Sequence, residues 1–423
     1  MRSLWAISLS PRNERRVALA ASMKVLLLNL YYPPDTSATA RMAAAFVEPL
    51  AEKHTVTVIC GRPSYDPTER RAWRLWQTEQ FHGVSVVRVG STDYPRTQMT
   101  RRVFNYLSYV ALSIPRALFT SCDVVLAMTD PPFEGIVGAF VAMLKRKPFV
   151  YNIRDMYPDM AVGGSIVRPG LMARVWEKLH RWALRRATRV IVLGEDMKAR
   201  IAAKGVAPDR IDIVRDGVEE SAATIADATF DREIIQAIRG DFSFVLLHAG
   251  NLGFYGAWET LLIAAQELQH DGVGLVFVGD GAQRSRLQEL ATGRANVRFL
   301  PFFPSSKVSS VLAAADAHVV TIKRGLEGVV VPSKMYGILA AGRPILAVAP
   351  QETDAATLSV RESFGCAADP DRPEEVVAAV RALLADPSRV AAMGAAARSA
   401  APRYARSAEI QKFAAILEAT AQR

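Results

Sequence analysis

The feature that most constrains the fold is a repeated alternation of short apolar segments with helical ones. Residues 24–30 and Thr55–Cys60 are apolar runs of strand length, and residues 41–52 between them have a helical pattern. A strand, a helix and a strand in this order form a βαβ unit, and its repetition predicts a parallel, doubly wound sheet. The further strands predicted in the first half are Val84–Val89, 123–128, 149–153 and 189–193.

The alternation stops and then restarts, which predicts two domains. Residues 218–243 are polar and turn-rich, without a strand pattern. The strands predicted after this break are Phe244–Ala249, 274–278, Val297–Leu300 and 317–322. We therefore expect an α/β chain with two Rossmann-like domains, 23–217 and 244–402, joined by a linker at 218–243. Residues 403–423 have a helical period and are expected to cross back to the first domain. Ligands of such sheets bind beyond the carboxyl ends of the strands, so the predicted site is the cleft between the domains.

Charge and composition limit the kinds of binding partner and the compartment that we expect. The formal charge of +10 favours anionic ligands or surfaces. No zinc spacing and no stripe of aromatic and basic residues is present, so nucleic acid is not expected as a partner. No apolar run reaches the roughly 18 residues of a transmembrane helix. The scattered cysteines, Cys60, Cys122 and Cys366, are typical of reduced thiols in the cytoplasm. Residues 1–22 have too short an apolar part for a signal peptide, and we interpret them as a disordered or mis-started extension.

Two segments have the composition of membrane-surface elements. Residues 63–81 combine Trp73 and Trp76 with several arginines, and residues 100–119 form an apolar helical stretch flanked by arginines. Aromatic and basic side chains together suit lipid headgroups. Alternatively, the second segment is a core helix of the first sheet. The sequence leaves both interpretations open.

Residues 325–348 are the strongest candidate for binding a phosphate. They read GLEGVVVPSKMYGILAAGRPILAV, a glycine-rich loop, a helix start and a buried strand. Ser333 is a plausible helix cap, Gly342 ends the helix, and Lys334 places a cation in the first turn. A cation is disfavoured there by the helix dipole unless an anion binds beside it. The alternative is a solvated lysine on an ordinary helix.

Other loops after predicted strands carry further candidates. Gly250, Asn251 and Gly253 follow one strand of the second domain, and Gly279, Asp280 and Gly281 follow the next. Glycines at these places let a backbone approach a diphosphate, although either loop alone is weak. In the first domain, Arg154 and Asp155 follow a buried strand, where doubly wound enzymes place reactive groups; a structural ion pair is the alternative. Glu327 either meets sugar hydroxyls or is a solvated loop carboxylate.

The chain resembles glycosyltransferase family 4 of the GT-B fold, in the bacterial branch that builds O-antigen, capsule and colanic-acid-type polysaccharides. The resemblance extends from residue 23 onward, and the order and spacing of its stretches together make it specific. These stretches are YYPPDTSATA, NIRDMYPD, RVIVLGEDMKARI, HAGNLGFYGAWETLL, FVGDGAQRSRL and VVPSKMYGILAAGRPILAV.

The resemblance implies a retaining transferase that binds a nucleotide sugar on the second domain and an acceptor on the first, without a bound metal. We expect a UDP-linked N-acetylated hexose or deoxyhexose as donor and a polyprenyl-diphosphate-linked glycan as acceptor, at the inner face of the plasma membrane. The expected catalytic residues are Asp155, Arg154 and Lys334. The expected donor-binding residues are Gly250, Asn251, Gly253, Gly279, Asp280, Gly281, Glu327, Ser333, Lys334 and Asp354. Thr36 and Ser37 are expected on the acceptor side.

Several positions depart from the family pattern. Two glutamates that many members carry eight positions apart are replaced by Val329 and Gly337. A histidine that commonly precedes the first-domain aspartate is replaced by Arg154. Two other functions therefore stay open: a non-catalytic nucleotide-sugar-binding or scaffold subunit, and a UDP-sugar 2-epimerase.

Overall fold

The structure is a computed structural model that describes residues 22–63, 73–94, 99–164, 166–219 and 230–422. The predicted N-terminal extension falls almost entirely on residues 1–21, outside this range. Residues 64–72 of the first predicted membrane-surface segment and residues 220–229 of the predicted linker also lie outside it.

The first domain is built on an eight-stranded sheet with the strand order β3-β4-β2-β1-β5-β6-β7-β8. Its strands are β1 (Lys24–Leu28), β2 (Thr55–Cys60), β3 (Trp76–Phe81), β4 (Val84–Val89), β5 (Val124–Ala127), β6 (Phe149–Asn152), β7 (Arg189–Val192) and β8 (Ile211–Ile213). All neighbouring pairs are parallel except β3 with β4. The central strands are almost wholly apolar because helices cover both faces of the sheet.

Six helices accompany the first sheet in the described ranges. They are α1 (Ala38–Val47), α2 (Met99–Phe119), α3 (Glu134–Lys145), α4 (Asp159–Gly163), α5 (Leu171–Arg186) and α6 (Glu195–Ala203). Ser37 begins α1 by accepting a hydrogen bond from the Ala40 amide. None of the helices described in the chain is both long and apolar enough to cross a bilayer.

The second domain is built on a six-stranded parallel sheet with the order β11-β10-β9-β12-β13-β14. Its strands are β9 (Phe244–Ala249), β10 (Val273–Val278), β11 (Val297–Leu300), β12 (Ala317–Thr321), β13 (Ile345–Val348) and β14 (Gly365–Ala368). Its helices are α7 (Arg232–Arg239), α8 (Trp258–Glu267), α9 (Arg284–Leu290), α10 (Val308–Ala313), α11 (Lys334–Ala340), α12 (Asp354–Arg361), α13 (Pro373–Ala385) and α14 (Pro387–Ala400). The predicted α/β architecture with two doubly wound parallel sheets is confirmed.

The two domains meet along the segment that precedes α11. Leu326, Val329 and Val331 belong to the second domain but are buried in a cluster with core residues of the first. Asp155 forms a β-bridge with Val330 at this contact. The final helix, α15 (Arg406–Ala421), packs on the first sheet through Phe413, whose ring lies 5.1 Å from that of Phe46.

Several elements were not predicted, among them the strands β3, β8 and β14 and the helix α7. Strand β3 is an edge strand, and its half-exposed residues lack the apolar run by which strands were predicted. Strand β8 has three residues, too few for a sequence pattern. Helix α7 lies within the predicted linker, where Asp231 begins it by accepting hydrogen bonds from the Glu233 and Ile234 amides and its isoleucines pack on the second sheet.

Candidate active site between the two sheets

Lys334 is the centre of the candidate site. It begins α11, and its Nζ lies 3.0 Å from Nε2 of His248 and 6.0 Å from the centroid of the Tyr255 ring. Burial lowers the pKa of Lys334 to about 7. Burial also lowers the pKa of His248 well below its usual value, so this ring is neutral. Within the described ranges Lys334 forms no ion pair, so its charge is not compensated by the protein.

Two glycine loops lie beside Lys334 at the carboxyl ends of β9 and β10. The Leu252 amide donates to the Asp280 carbonyl over 2.8 Å, which joins the loops backbone to backbone. A Cβ at Gly279 would lie 2.1 Å from the Gly250 carbonyl oxygen, and Gly279 has a φ of +143°. Glycine is therefore required where the loops touch. A Cβ at Gly250 would lie only 3.2 Å from Nζ of Lys334, so this loop and the lysine face the same space.

Asp155 contributes a carboxylate from the first domain. Burial and the neighbouring Asp130 raise the pKa of Asp155 to about 6. Asp130 accepts a hydrogen bond of 2.5 Å from the Thr39 hydroxyl. Burial, and after it the Asp155 carboxylate, raises the pKa of Tyr255, whose ring lies beside Lys334. The structure thus brings a first-domain carboxylate and a second-domain cation to the same cleft.

Arg154 has a different environment from that of Lys334. Its side chain is buried and forms an ion pair with Asp216, which lies at the end of the first domain. Arg406 donates from Nε to the backbone carbonyl of the same Asp216, which ties the pair to the start of α15. Contacts of this kind favour the structural alternative left open by the sequence, and no hydrogen bond between Arg154 and Lys334 occurs among the described residues.

Asp354 and Glu327 form hydrogen bonds across the contact between the two domains. Oδ1 of Asp354 accepts a hydrogen bond from the Glu195 amide over 3.0 Å, and the Asp354 amide donates to Asp196 over 3.2 Å. Each domain therefore supplies a carboxylate to the start of a helix in the other. The Glu327 carboxylate accepts from the Gly325 amide, within its own loop, and the Glu327 carbonyl accepts from Arg200.

The remaining predicted residues divide into two groups. Asn251, Asp280 and Ser333 are exposed, and Gly253 and Gly281 belong to the two glycine loops. The predicted hydroxyl cap of Ser333 was wrong, because Ser333 has a helical backbone and its hydroxyl makes no capping hydrogen bond. On the acceptor side, Ser37 caps α1, while the Thr36 carbonyl accepts from Arg41.

Several residues of the cleft were not singled out from the sequence. His248 and Tyr255 stand within the HAGNLGFYG stretch, of which only the glycines and Asn251 were selected. Asp130 lies in a loop that follows a predicted strand. The signal for all three was present, because each lies at or just beyond the carboxyl end of a strand. In the part of the chain that the structure describes, no group of three or more His, Cys, Asp or Glu residues is placed to hold a metal ion.

Comparisons with known proteins cover both domains. The family model described as "Glycosyl transferase 4-like domain" matches residues 37–217, and the model described as "Glycosyl transferases group 1" matches residues 243–386. The putative colanic acid biosynthesis glycosyl transferase WcaI of Escherichia coli is 25% identical over 377 residues, which are 86% of this chain and 92% of that protein. The probable glycosyltransferase WbjE of Pseudomonas aeruginosa is 25% identical over 264 residues, which are 59% of this chain and 63% of that protein.

Among solved structures, the chain is similar to the crystal structure of Anabaena HepE in complex with UDP. The TM-score is 0.66 at 18% sequence identity, over 94% of this chain and 100% of that chain. A likeness at this level of identity shows that the two proteins share a fold.

Proposed function

Because the chain belongs to glycosyltransferase family 4, has the GT-B fold and is a glycosyltransferase of polysaccharide biosynthesis, we propose that it is a retaining enzyme with a UDP-sugar donor. The donor we propose is a UDP-N-acetylhexosamine, and the acceptor is a glycan linked to a polyprenyl diphosphate. The single observation that carries the proposal is the uncompensated cation of Lys334 beside two glycine loops, at the carboxyl ends of parallel strands.

Lys334 would bind the donor diphosphate. As the bond between the sugar and the diphosphate breaks, the electron pair goes to a phosphate oxygen, and negative charge grows there. A lysine whose pKa is lowered to about 7 by burial regains its proton when a diphosphate binds, and it then stabilises that charge. The amides of the glycine loops lie beside it as further donors. In this proposal no metal ion is needed for the leaving group.

Asp155 would position the reacting hydroxyl of the acceptor. It lies on the first-domain side of the cleft, and its pKa of about 6 leaves it mostly ionised at neutral pH. An ionised carboxylate accepts a strong hydrogen bond from a hydroxyl group. Thr36 and Ser37 stand near the same strand ends, where Ser37 contacts Thr39 and Thr39 contacts Asp130.

A peripheral position at the inner, anionic face of the plasma membrane would bring the enzyme to a lipid-linked acceptor. Helix α5 has five Arg or Lys residues against one Glu. Its apolar residues Leu171 and Met172 are 72% and 74% exposed. Helix α2 adds Phe104 and Leu107, which are 59% and 55% exposed. Exposed apolar side chains among basic ones suit an anionic lipid surface.

The proposal is tested by transfer from a panel of UDP-sugars to lipid-linked glycans extracted from membranes, with and without EDTA. We expect transfer from a UDP-N-acetylhexosamine, an unchanged anomeric configuration by NMR, and no loss with EDTA. Lys334→Met is expected to lower transfer by about a hundredfold or more. The matched control is Lys307→Met, because Lys307 is a lysine of the same domain whose charge is already paired with Asp231. Release of epimerised UDP-sugar without acceptor would instead indicate a 2-epimerase.

The non-catalytic alternative is favoured by one observation. Val329, at the position of a family glutamate, is fully buried in the contact between the domains. The chain therefore lacks a carboxylate at this position, and one placed there would be buried at a cost in free energy. UDP binding together with no transfer from any donor of the panel would support a binding or scaffold subunit.

A further inference from the structure

Arg102 of α2 is a cation that forms no hydrogen bond with the residues that the structure describes. Its side chain is partly buried, and its Nε has no hydrogen-bond partner in the structure. The guanidinium carbon lies 5.4 Å from the centroid of the Tyr106 ring, which holds it by a cation–π contact. A guanidinium has five N–H donors in a fixed fork, and a buried donor without an acceptor costs free energy. An acceptor from a ligand would remove that cost.

The position of Arg102 connects it with the candidate active site. Its neighbours Tyr31, Asp130 and Tyr157 follow β1, β5 and β6, three adjacent strands of the first sheet. All three lie beyond the carboxyl ends of these strands, as does Asp155. Asp130 is electrostatically coupled both to Arg102 and to Asp155. Two carboxylates, Asp130 and Asp155, therefore connect Arg102 electrostatically with the residues around Lys334.

The same turn of α2 exposes an apolar surface. Val103, Phe104 and Leu107 are 50%, 59% and 55% exposed, and α2 contains no acidic residue. A ligand that binds there therefore gains both from a negative charge and from an adjacent apolar chain. Lipid phosphates have this combination, whereas free phosphate and free sugars do not.

We propose that Arg102 binds the phosphate group of a lipid-phosphate acceptor, whose lipid chain leaves the cleft across Val103, Phe104 and Leu107. This inference rests on the proposed function, since it specifies how the acceptor is held. The acceptor sugar then lies between the two cations, beside Asp130 and Asp155, and its hydroxyl faces the donor at Lys334.

The inference is tested with geranylgeranyl diphosphate in uncharged detergent micelles, titrated into the full-length protein with saturating UDP so that the Lys334 site is occupied. We expect Arg102→Gln to weaken binding by about tenfold or more, which is the loss of a charge-assisted contact. Arg102→Lys should lose less, because the charge remains. The control Arg101→Gln changes an exposed arginine one position away, and we expect an effect below about twofold.

Further ligands separate the possible sources of binding. Geranylgeraniol tests the lipid chain, inorganic pyrophosphate tests the charge, and phosphatidylglycerol in the same micelles tests a general anionic lipid surface. We expect each to bind more weakly than geranylgeranyl diphosphate. Binding of geranylgeraniol and phosphatidylglycerol should be insensitive to Arg102→Gln, whereas the weak binding of pyrophosphate should be weakened further. The double variant Phe104→Ser, Leu107→Ser should weaken the diphosphate lipid but not pyrophosphate.

The outcome also distinguishes this inference from the proposed function. Equal affinity of the wild type and Arg102→Gln for geranylgeranyl diphosphate would overturn it, as would an equal loss with Arg101→Gln or equal binding of phosphatidylglycerol. UDP titrations of the same samples report on the donor site separately. Absence of UDP binding would count against the proposed function. In that case the lipid titration is repeated without nucleotide on Lys334→Met, so that binding that depends on Arg102 can still be measured.

Discussion

Lys334 and Arg154 are both basic residues near the carboxyl ends of parallel strands, yet their surroundings differ. Arg154 is buried against the Asp216 carboxylate, and burial lowers its pKa to about 10. Lys334 has a neutral histidine and an aromatic ring as neighbours, and its pKa falls to about 7. In the described part of the chain, a carboxylate compensates the charge of Arg154, whereas no carboxylate pairs with that of Lys334.

This difference separates a structural cation from one that is available to a ligand. A buried cation that is paired depends on its partner, because loss of the partner leaves a buried charge uncompensated. Its charge is already neutralised, so it interacts only weakly with a substrate anion. An unpaired cation destabilises the folded protein and gains when an anion arrives. The catalytic role is therefore expected of Lys334 and not of Arg154, and the following predictions test that contrast.

The largest expected effect is on transfer in Lys334→Met. Loss of a charge that stabilises the leaving diphosphate should lower kcat/KM by about a hundredfold to a thousandfold. The unfolding temperature should stay the same or rise, because an uncompensated buried charge is removed. A transfer assay and thermal unfolding of the same sample measure both. Unchanged transfer would remove Lys334 from the site.

Whereas Lys334→Met mainly affects transfer, Arg154→Met should mainly affect the stability of the folded protein. It leaves the buried Asp216 carboxylate without its partner, and we expect a loss of about 3–5 kcal/mol in the free energy of unfolding. Denaturant unfolding measures this loss. The double variant Arg154→Met, Asp216→Leu should recover most of it, because no unpaired charge remains. A stable Arg154→Met protein with abolished transfer would reverse the assignment.

The pH dependence of transfer gives a third test. Asp155, with a pKa of about 6, must be ionised to accept a hydrogen bond, so kcat/KM should fall as the pH drops below this value. Lys334, with a pKa of about 7, must be protonated, so kcat/KM should also fall as the pH rises above it. Asp155→Asn should remove the acid limb, and Lys334→Arg the alkaline limb. A pH profile that is the same in both variants as in the wild type would contradict these roles.

The smallest expected effect concerns the two serines at helix starts. Ser37 caps α1, so Ser37→Ala should lower the free energy of unfolding by about 1 kcal/mol. Ser333 makes no capping hydrogen bond, so Ser333→Ala should change it by less than about 0.5 kcal/mol. Equal losses in denaturant unfolding would show that Ser333 also caps its helix.

The contrast also explains how far the sequence could be interpreted. The strand pattern and the glycine loops depend on residues that are close together in the chain, and both domains were predicted from them. The role of Arg154 depends on Asp216, which is 62 positions away, and that of Asp354 on Glu195, which is 159 positions away. A short sequence pattern cannot identify a contact between residues that are so far apart in the chain. The family resemblance indicated a candidate site, but only the contacts distinguish a paired cation from an unpaired one.

The most direct test of the uncompensated charge is a count of the protons taken up when UDP binds. Calorimetric titrations at about pH 8, in buffers with different ionisation enthalpies, give this number. Lys334 has a pKa of about 7 and is mostly neutral at that pH, and the bound diphosphate raises its pKa. We predict an uptake of roughly 0.9 proton by the wild type and by Arg154→Lys, and none by Lys334→Met. UDP binding without proton uptake, or with equal uptake in Lys334→Met, would contradict the account.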